Sequence, residues 1–209
     1  MNLFLSPSAR PPARHRGNHP PAPKNRANTG NSTKPIFLDD GAMLVLRPID
    51  PADVDALIRA FKRMTPEQVR ARVFHALSEL PEPVARAMCR TDPDEGVALV
   101  ATDPDGAEIR GEARVHFDPV TQSAELAIAI DPEYTGRGLG RILVENLIEA
   151  SKAHGALEIW GDTQAGNFAM LRLTRRLGFE HQRKREEAGL VRFSLNLDPA
   201  CAHECNPDR

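Results

Sequence analysis

Apolar positions along this chain repeat with two periods, near two and near 3.6, and the switches between them outline a series of elements. Met43 to Arg47 alternates into Pro48 and predicts a strand. Asp50 and Pro51 then supply an N-cap and a first-turn proline for a helix running to about Met64. Thr65 to Gln68 has the form of a capping box and opens a helix toward Ala76, and Pro81 or Glu82 opens a third through Arg90. Gly96 to Thr102 reads as a strand and Asp103 to Gly106 as a turn. Glu108 to Asp118 is a longer strand, with Ala113, Val115 and Phe117 alternating against Arg114 and His116. Pro119 to Gln122 reverses the chain, and Ala124 to Ile130 returns as the next strand of an antiparallel meander. From Leu139 the apolar residues Ile142, Leu143, Leu147 and Ile148 fall on one helical face, while Arg141, Glu145, Asn146, Glu149 and Lys152 take the other, until Gly155 ends the helix. Leu157 to Asp162 is a strand and Asn167 to Leu177 a helix. Phe179 to Arg185 pairs with Leu190 to Leu197 as a hairpin turned at Ala188-Gly189. The order is mixed α/β, without an internal repeat.

Composition separates the ends from the body. Residues 1 to 36 hold seven of the 18 prolines and no apolar periodicity, so they are expected to form a disordered basic tail. Prolines 11, 12, 20, 21 and 23 break up any amphipathic targeting helix; an overlong start and a nucleic-acid-tethering arm stay open for this tail. One domain is expected over 37–198, with a short tail over 199–209. The first 38 residues carry six Lys/Arg and no acid, out of 27 Lys/Arg and 29 Asp/Glu in the whole chain, so the body is strongly acidic. An acidic body suits a cationic partner such as an amine, although simple solubility explains it equally well. No apolar run reaches the length of a membrane span, and three cysteines make no disulfide framework, so a cytoplasmic location is expected. Cys201, His203 and Cys205 give three soft ligands without a fourth, and no metal is expected.

Between the strand ending at Ile130 and the helix beginning at Leu139 lie Gly136, Gly138 and Gly140. Glycines let main-chain N–H groups approach a bulky anion, and a helix N-terminus adds partial positive charge, so the turn reads as a diphosphate cradle. No Lys-Ser/Thr pair follows, which excludes a Walker loop, and the glycine spacing fits a dinucleotide-binding turn poorly; a plain glycine-rich connection stays open.

Thr135 to Gly140 resembles the acetyl-CoA loop of the GNAT N-acetyltransferases, and Asn167 through Gly178-Phe179 is similar to that family's closing pattern. The segments Val69 to Phe74 and Met170 to Phe179 look most like the catalytic domain of bacterial protein lysine acetyltransferases. The resemblance covers roughly Met43 to Leu197. It implies the GNAT acyltransferase fold, a mostly antiparallel sheet with helices on both faces and a splayed parallel pair formed by Ala124–Ile130 and Leu157–Asp162. Acetyl-CoA is then the implied co-substrate. Its pantetheine amides would pair with the main chain of Ile128 and Ile130, and its diphosphate would lie on Thr135, Gly136, Arg137, Gly138, Leu139, Gly140 and Arg141. Asn167 would contact CoA, and is also a plain N-cap.

Acyl transfer to an amine needs a neutral nitrogen. For a lysine the proton is held by about 3.4 pK units at neutral pH, roughly 4 to 5 kcal/mol, which a positioned base must offset. Glu125 is the candidate base, because it opens the strand entering the cradle and matches the family's catalytic glutamate. An outward-facing strand glutamate is the plain alternative, and Glu112 is the runner-up. Two positions depart from the family. Thr135 stands where the loop usually begins with Gln or Arg, and Thr174 stands where many members carry a tyrosine acid. Trp160 and Phe168 read as core residues. The expected activity is N-acetyl transfer from acetyl-CoA to a primary amine, with protein lysine side chains first. Small amines such as polyamines or aminoglycosides, or a non-catalytic acetyl-CoA-binding sensor, are the alternatives.

Overall fold

The computed structural model describes residues 33–65, 79–184, 187 and 189–198. Among these residues eight strands form one sheet in the order β1-β2-β3-β4-β5-β6-β8-β7. They are β1 (Lys34–Phe37), β2 (Met43–Pro48), β3 (Gly96–Thr102), β4 (Ile109–Asp118), β5 (Ser123–Ile130), β6 (Glu158–Gln164), β7 (Glu180–Arg183) and β8 (Leu190–Asn196). Among the described residues the helices are α1 (Val54–Arg63), α2 (Glu82–Met88), α3 (Leu139–His154) and α4 (Phe168–Arg176). Every strand pair is antiparallel except β5 with β6.

Strand alternation divides the core into two layers. Ala113, Val115 and Phe117 of β4 and Ala124 and Leu126 of β5 pack with Leu139, Leu143, Val144 and Leu147 of α3. On the opposite face, Val100 and Ile109 pack with Val54, Leu57 and Phe61 of α1 and with Ala85 and Met88 of α2. β3 is buried on both faces, which is why Gly96 to Thr102 is a nearly unbroken apolar run.

Three local outcomes refine the sequence reading. The helix expected from Asp50 begins as a 3₁₀ turn over Pro51–Asp53, where Asp50 and Asp53 cap each other's main chain; regular helix starts at Val54. Lys34 to Ile36, assigned to the basic tail, form an edge strand with Phe37 instead. Ile36 alone supplies its core contact, too little apolar pattern to be visible in the sequence. The helix expected after Thr65 and the Cys201–Cys205 cluster lie outside the described residues. Gly155 ends α3 in the left-handed conformation, with φ +89°, as its place in the sequence requires.

Candidate active site

β5 and β6 run together for three rungs only, Ser123 with Glu158, Ala124 with Ile159 and Glu125 with Trp160. Beyond them β5 continues to Ile130 and β6 to Gln164 without pairing to each other. The Asp131 N–H donates to the Arg110 carbonyl on the β4 side. Alternation therefore turns the main-chain groups of Leu126, Ile128 and Ile130 to the β6 side, into the opening gap. At the fork a Cβ on Gly161 would lie 2.8 Å from the Leu126 carbonyl oxygen and 2.4 Å from Phe193 Cζ. Only glycine lets the strands meet there before they separate. The edge of β5 past the fork can accept an extended, amide-bearing chain as an added strand.

The gap leads to the glycine turn. Asp131, its side chain 3% exposed, caps the 3₁₀ turn Pro132–Tyr134 and accepts from Arg63 Nε at 2.7 Å and Arg110 Nη1 at 3.3 Å. Arg63 also donates to the Ile109 carbonyl and to Glu108, so the end of α1 braces the approach to the turn. Gly136 and Gly138 have φ of +79° and +87°, backbone that a side chain disfavours. The Ile142 N–H donates to the Gly138 carbonyl, which leaves the first-turn N–H groups of Leu139, Gly140 and Arg141 ahead of the helical ladder. Those donors, at the positive end of α3, are suited to a diphosphate.

The side chains of the turn divide their roles differently from the sequence expectation. Leu139 is fully buried in the core, so only its main chain reaches the cradle. A Cβ on Gly140 would come within 3.1 Å of Leu173, so this glycine serves the close packing of α4 on α3. Thr135 directs its hydroxyl to the Asp131 carbonyl at 3.5 Å. Arg137 is paired with Asp40 at 2.6 Å and lies over the Tyr134 ring, while Arg141 approaches Glu145 at 3.3 Å and Asp39 at 3.5 Å. The Arg137 hydrogen bond is the main reason the Asp40 carboxyl is held below its usual range. The Asp39 carboxylate also fills the space a Cβ on Gly138 would occupy. This acidic turn between β1 and β2 lies about a hundred positions upstream, and nothing local in the sequence connects it to the cradle. Asn167 caps α4 through the Met170 N–H and donates from Nδ2 to Thr163 Oγ1 at 3.1 Å, tying the helix to β6.

Glu125 pairs in register with His116 on one side and Trp160 on the other. Because Ala124 and Leu126 face α3, Glu125 faces the α1 and α2 side, half-buried at the last rung before the fork. Glu112 is on the same face but only 3% exposed; its carboxylate accepts from Arg114 Nε at 2.5 Å. It lines a small cavity with Leu57, Phe61, Met88 and Ala129.

Two positions differ from the expectation of core. Phe168 is 67% exposed at the start of α4. Trp160 is half-buried, with the Arg192 guanidinium stacked 4.0 Å from its ring centre. Arg192 in turn binds Asp162, a partnership that sequence reasoning missed because it depends on the β6–β8 register. Thr174 is fully buried; its hydroxyl donates to the Met170 carbonyl and meets His181 Nε2 at 2.8 Å.

Open main-chain edge, glycine turn and helix N-terminus together fit an acyl-CoA. Among the described residues no group of His, Cys, Asp and Glu could hold a metal, and no helix is long and apolar enough to cross a membrane. The model of the acetyltransferase (GNAT) family matches residues 55–179. An acetyltransferase of Pseudomonas aeruginosa is 26% identical over 162 residues, covering 77% of this chain and 87% of that one. The ribosomal protein bS18-alanine N-acetyltransferase of Salmonella typhimurium is 42% identical over 52 residues, 25% of this chain and 35% of that enzyme. Among solved structures, the GNAT domain of S. lividans PAT superposes with a TM-score of 0.73 at 22% identity, covering 81% of this chain and 98% of that one. An acetyltransferase of Salmonella typhimurium, solved with its cofactor acetyl-CoA, gives 0.62 at 21% identity, covering 79% and 98%.

Proposed function

Because this chain belongs to the GNAT family and is an acetyl-CoA-dependent N-acetyltransferase, we propose that it acetylates lysine side chains of proteins by direct transfer, with Glu125 as general base. The observation that carries this reading is the end of the parallel ladder at the Glu125–Trp160 rung. A thioester whose pantetheine extends along Ile128 and Ile130 would bring its carbonyl to the fork, beside that carboxylate.

In this reading the first-turn N–H groups of α3 and the glycine turn, Thr135 to Arg141, hold the diphosphate. Arg137 and Arg141 exchange Asp40 and Asp39 for phosphate oxygens. The main-chain groups of Ile128 and Ile130 align the pantetheine, and Asn167 holds the start of α4 against it. Glu125 attracts the acceptor ammonium and takes its proton, directly or through one water, as the nitrogen attacks the carbonyl. The C–N bond forms, the C–S bond breaks, and the thiolate takes a proton from water. CoA thiol has a pKa near that of cysteine, about 8.5, so it can leave without a side-chain acid. Thr174, buried and bonded within α4, does not supply one.

A lysine acceptor is favoured over the alternatives by the likeness of Met170 to Phe179 to protein lysine acetyltransferases. The test is CoA-thiol release from acetyl-CoA with lysine-containing proteins and peptides, an N-terminal alanine peptide, polyamines and aminoglycosides, using wild type beside Glu125→Gln. Release with the lysine probes, reduced about a hundredfold or more in Glu125→Gln at neutral pH with acetyl-CoA affinity retained, is expected. Full turnover in Glu125→Gln would remove the base assignment. Release confined to another amine class would move the substrate there, and silence with tight acetyl-CoA binding would favour a sensor.

A further inference from the structure

A charged cluster surrounds the face of the fork that carries Glu125, and the reading above gives it no role. Asp162 lies two residues beyond Trp160 on the same face of β6, with its side chain fully buried. It accepts from Lys184 Nζ at 2.7 Å and from Arg192 Nε and Nη2, each at 2.9 Å. Asp162 and Arg192 are direct cross-strand partners. Yet the Arg192 guanidinium does not sit only over that rung; it leans back across the Trp160 ring, whose neighbour on β5 is Glu125. One buried carboxylate thus meets two cations. Lys184 has Glu187 as a further partner at 3.8 Å, while the Arg192 guanidinium lies over an indole whose Nε1 donates to Ser123 Oγ on β5. Asp162 above all, with Glu125 and Glu158 adding, holds the Arg192 guanidinium ionised.

We propose that Arg192 is a positioning residue for Glu125: anchored by Asp162 and stacked on Trp160, it keeps the Glu125 carboxylate an anion beside the fork and sets the pH at which transfer begins. The proposal rests on the assignment of Glu125 as the base. Several other described charges on the surrounding elements are paired among themselves or lie in solvent. On β4, His116 is exposed, and Arg114 is paired with Glu112. On α2, Glu82 and Arg86 pair with each other. On β6, Glu158 is a like charge at the exposed end of the strand.

The test uses two substitutions with opposite expected signs. Arg192→Gln removes the cation, so Glu125 protonates at higher pH. Asp162→Asn removes the counter-charge while its amide oxygen and the Trp160 ring still hold the guanidinium in place, so Glu125 protonates at lower pH. Loss of packing alone would move both variants the same way. The Glu125 midpoint is read by ¹³C-carboxylate NMR of the free protein, assigned with Glu125→Gln. The acid limb of kcat/KM for CoA-thiol release, with poly-L-lysine and spermidine as amines, reports the same free-enzyme group. In Arg192→Gln the limb moves up, so the rate at a fixed pH on that limb falls roughly threefold to tenfold, and Arg192→Lys restores most of it. In Asp162→Asn the limb moves down. Midpoints unmoved in both variants overturn the proposal, as do midpoints that move while the limb stays. Full turnover in Glu125→Gln removes the base assignment instead, whatever the midpoints do, so the two failures are told apart.

Discussion

His181 illustrates how a single side chain acquires a pH dependence from its neighbours. Its Nε2 meets the Thr174 hydroxyl, which already donates to the Met170 carbonyl, so the imidazole is the donor in that contact. Its Nδ1 is buried without a partner. Protonating the ring would put a second N–H where nothing accepts it, near Arg175. Burial first and that positive charge second hold the imidazole below its ordinary value. The unfolded chain takes up this proton near the ordinary pKa of about 6.5, whereas the folded chain does so only at lower pH. Stability at this site is therefore present above about pH 6.5 and falls as acid carries the protein toward the folded pKa. His181→Gln is expected to lose less Tm between pH 7 and pH 5 than wild type, as read by thermal melts at fixed ionic strength. An equal loss in both would show that the ring titrates normally.

The helices and strands owe their places to burial patterns that a reader of the chain can see, but the opening between two of them depends on one crowded position. Gly161 sits where β6 meets both β5 and β8, with the Phe193 ring on one side and the Leu126 carbonyl on the other. Gly161→Ala would force one of these apart, at an expected cost of about 1–3 kcal/mol in stability, measured by chemical denaturation. Because the displaced neighbour is the main chain of β5 next to the fork, acetyl-CoA affinity should weaken as well. Trp160, the only tryptophan in the chain, lies one residue away and reports that affinity through its fluorescence. The alternation of Ala113, Val115 and Phe117 identifies the α3 face of β4 from the sequence alone. It cannot identify the rung at which β5 and β6 part, because β5 stays apolar to Ile130 and both strands continue as regular strands beyond that rung.

Taken whole, the fold gathers the proposed cofactor site from elements distant in sequence: the acidic β1–β2 turn, the end of α1, the glycine turn and the start of α4. Binding to the folded state alone stabilises it by RT ln(1 + [L]/Kd), about 2.7 kcal/mol when acetyl-CoA is at a hundred times its Kd. A clear rise in Tm with acetyl-CoA is expected in the full chain, and its loss in Gly138→Ala. There the left-handed backbone and the Asp39 carboxylate both oppose a methyl group. An undiminished rise in that variant would place the cofactor away from the turn.

The sequence by itself determined the order of the described elements from Met43 to Leu197, the inward faces of β4 and α3, the glycine turn and the family. Each of these follows from local periodicity, capping chemistry or a short contiguous motif. Only the tertiary structure decided that Arg137 and Arg141 are held by Asp40 and Asp39, that Gly140 serves helix packing, that Phe168 is exposed, and that Arg192 joins Asp162 to the Trp160 ring. The physical reason is common to all four: a side chain's partners and solvent are set by strand register and by packing between distant elements, and neither leaves a periodic trace in the chain.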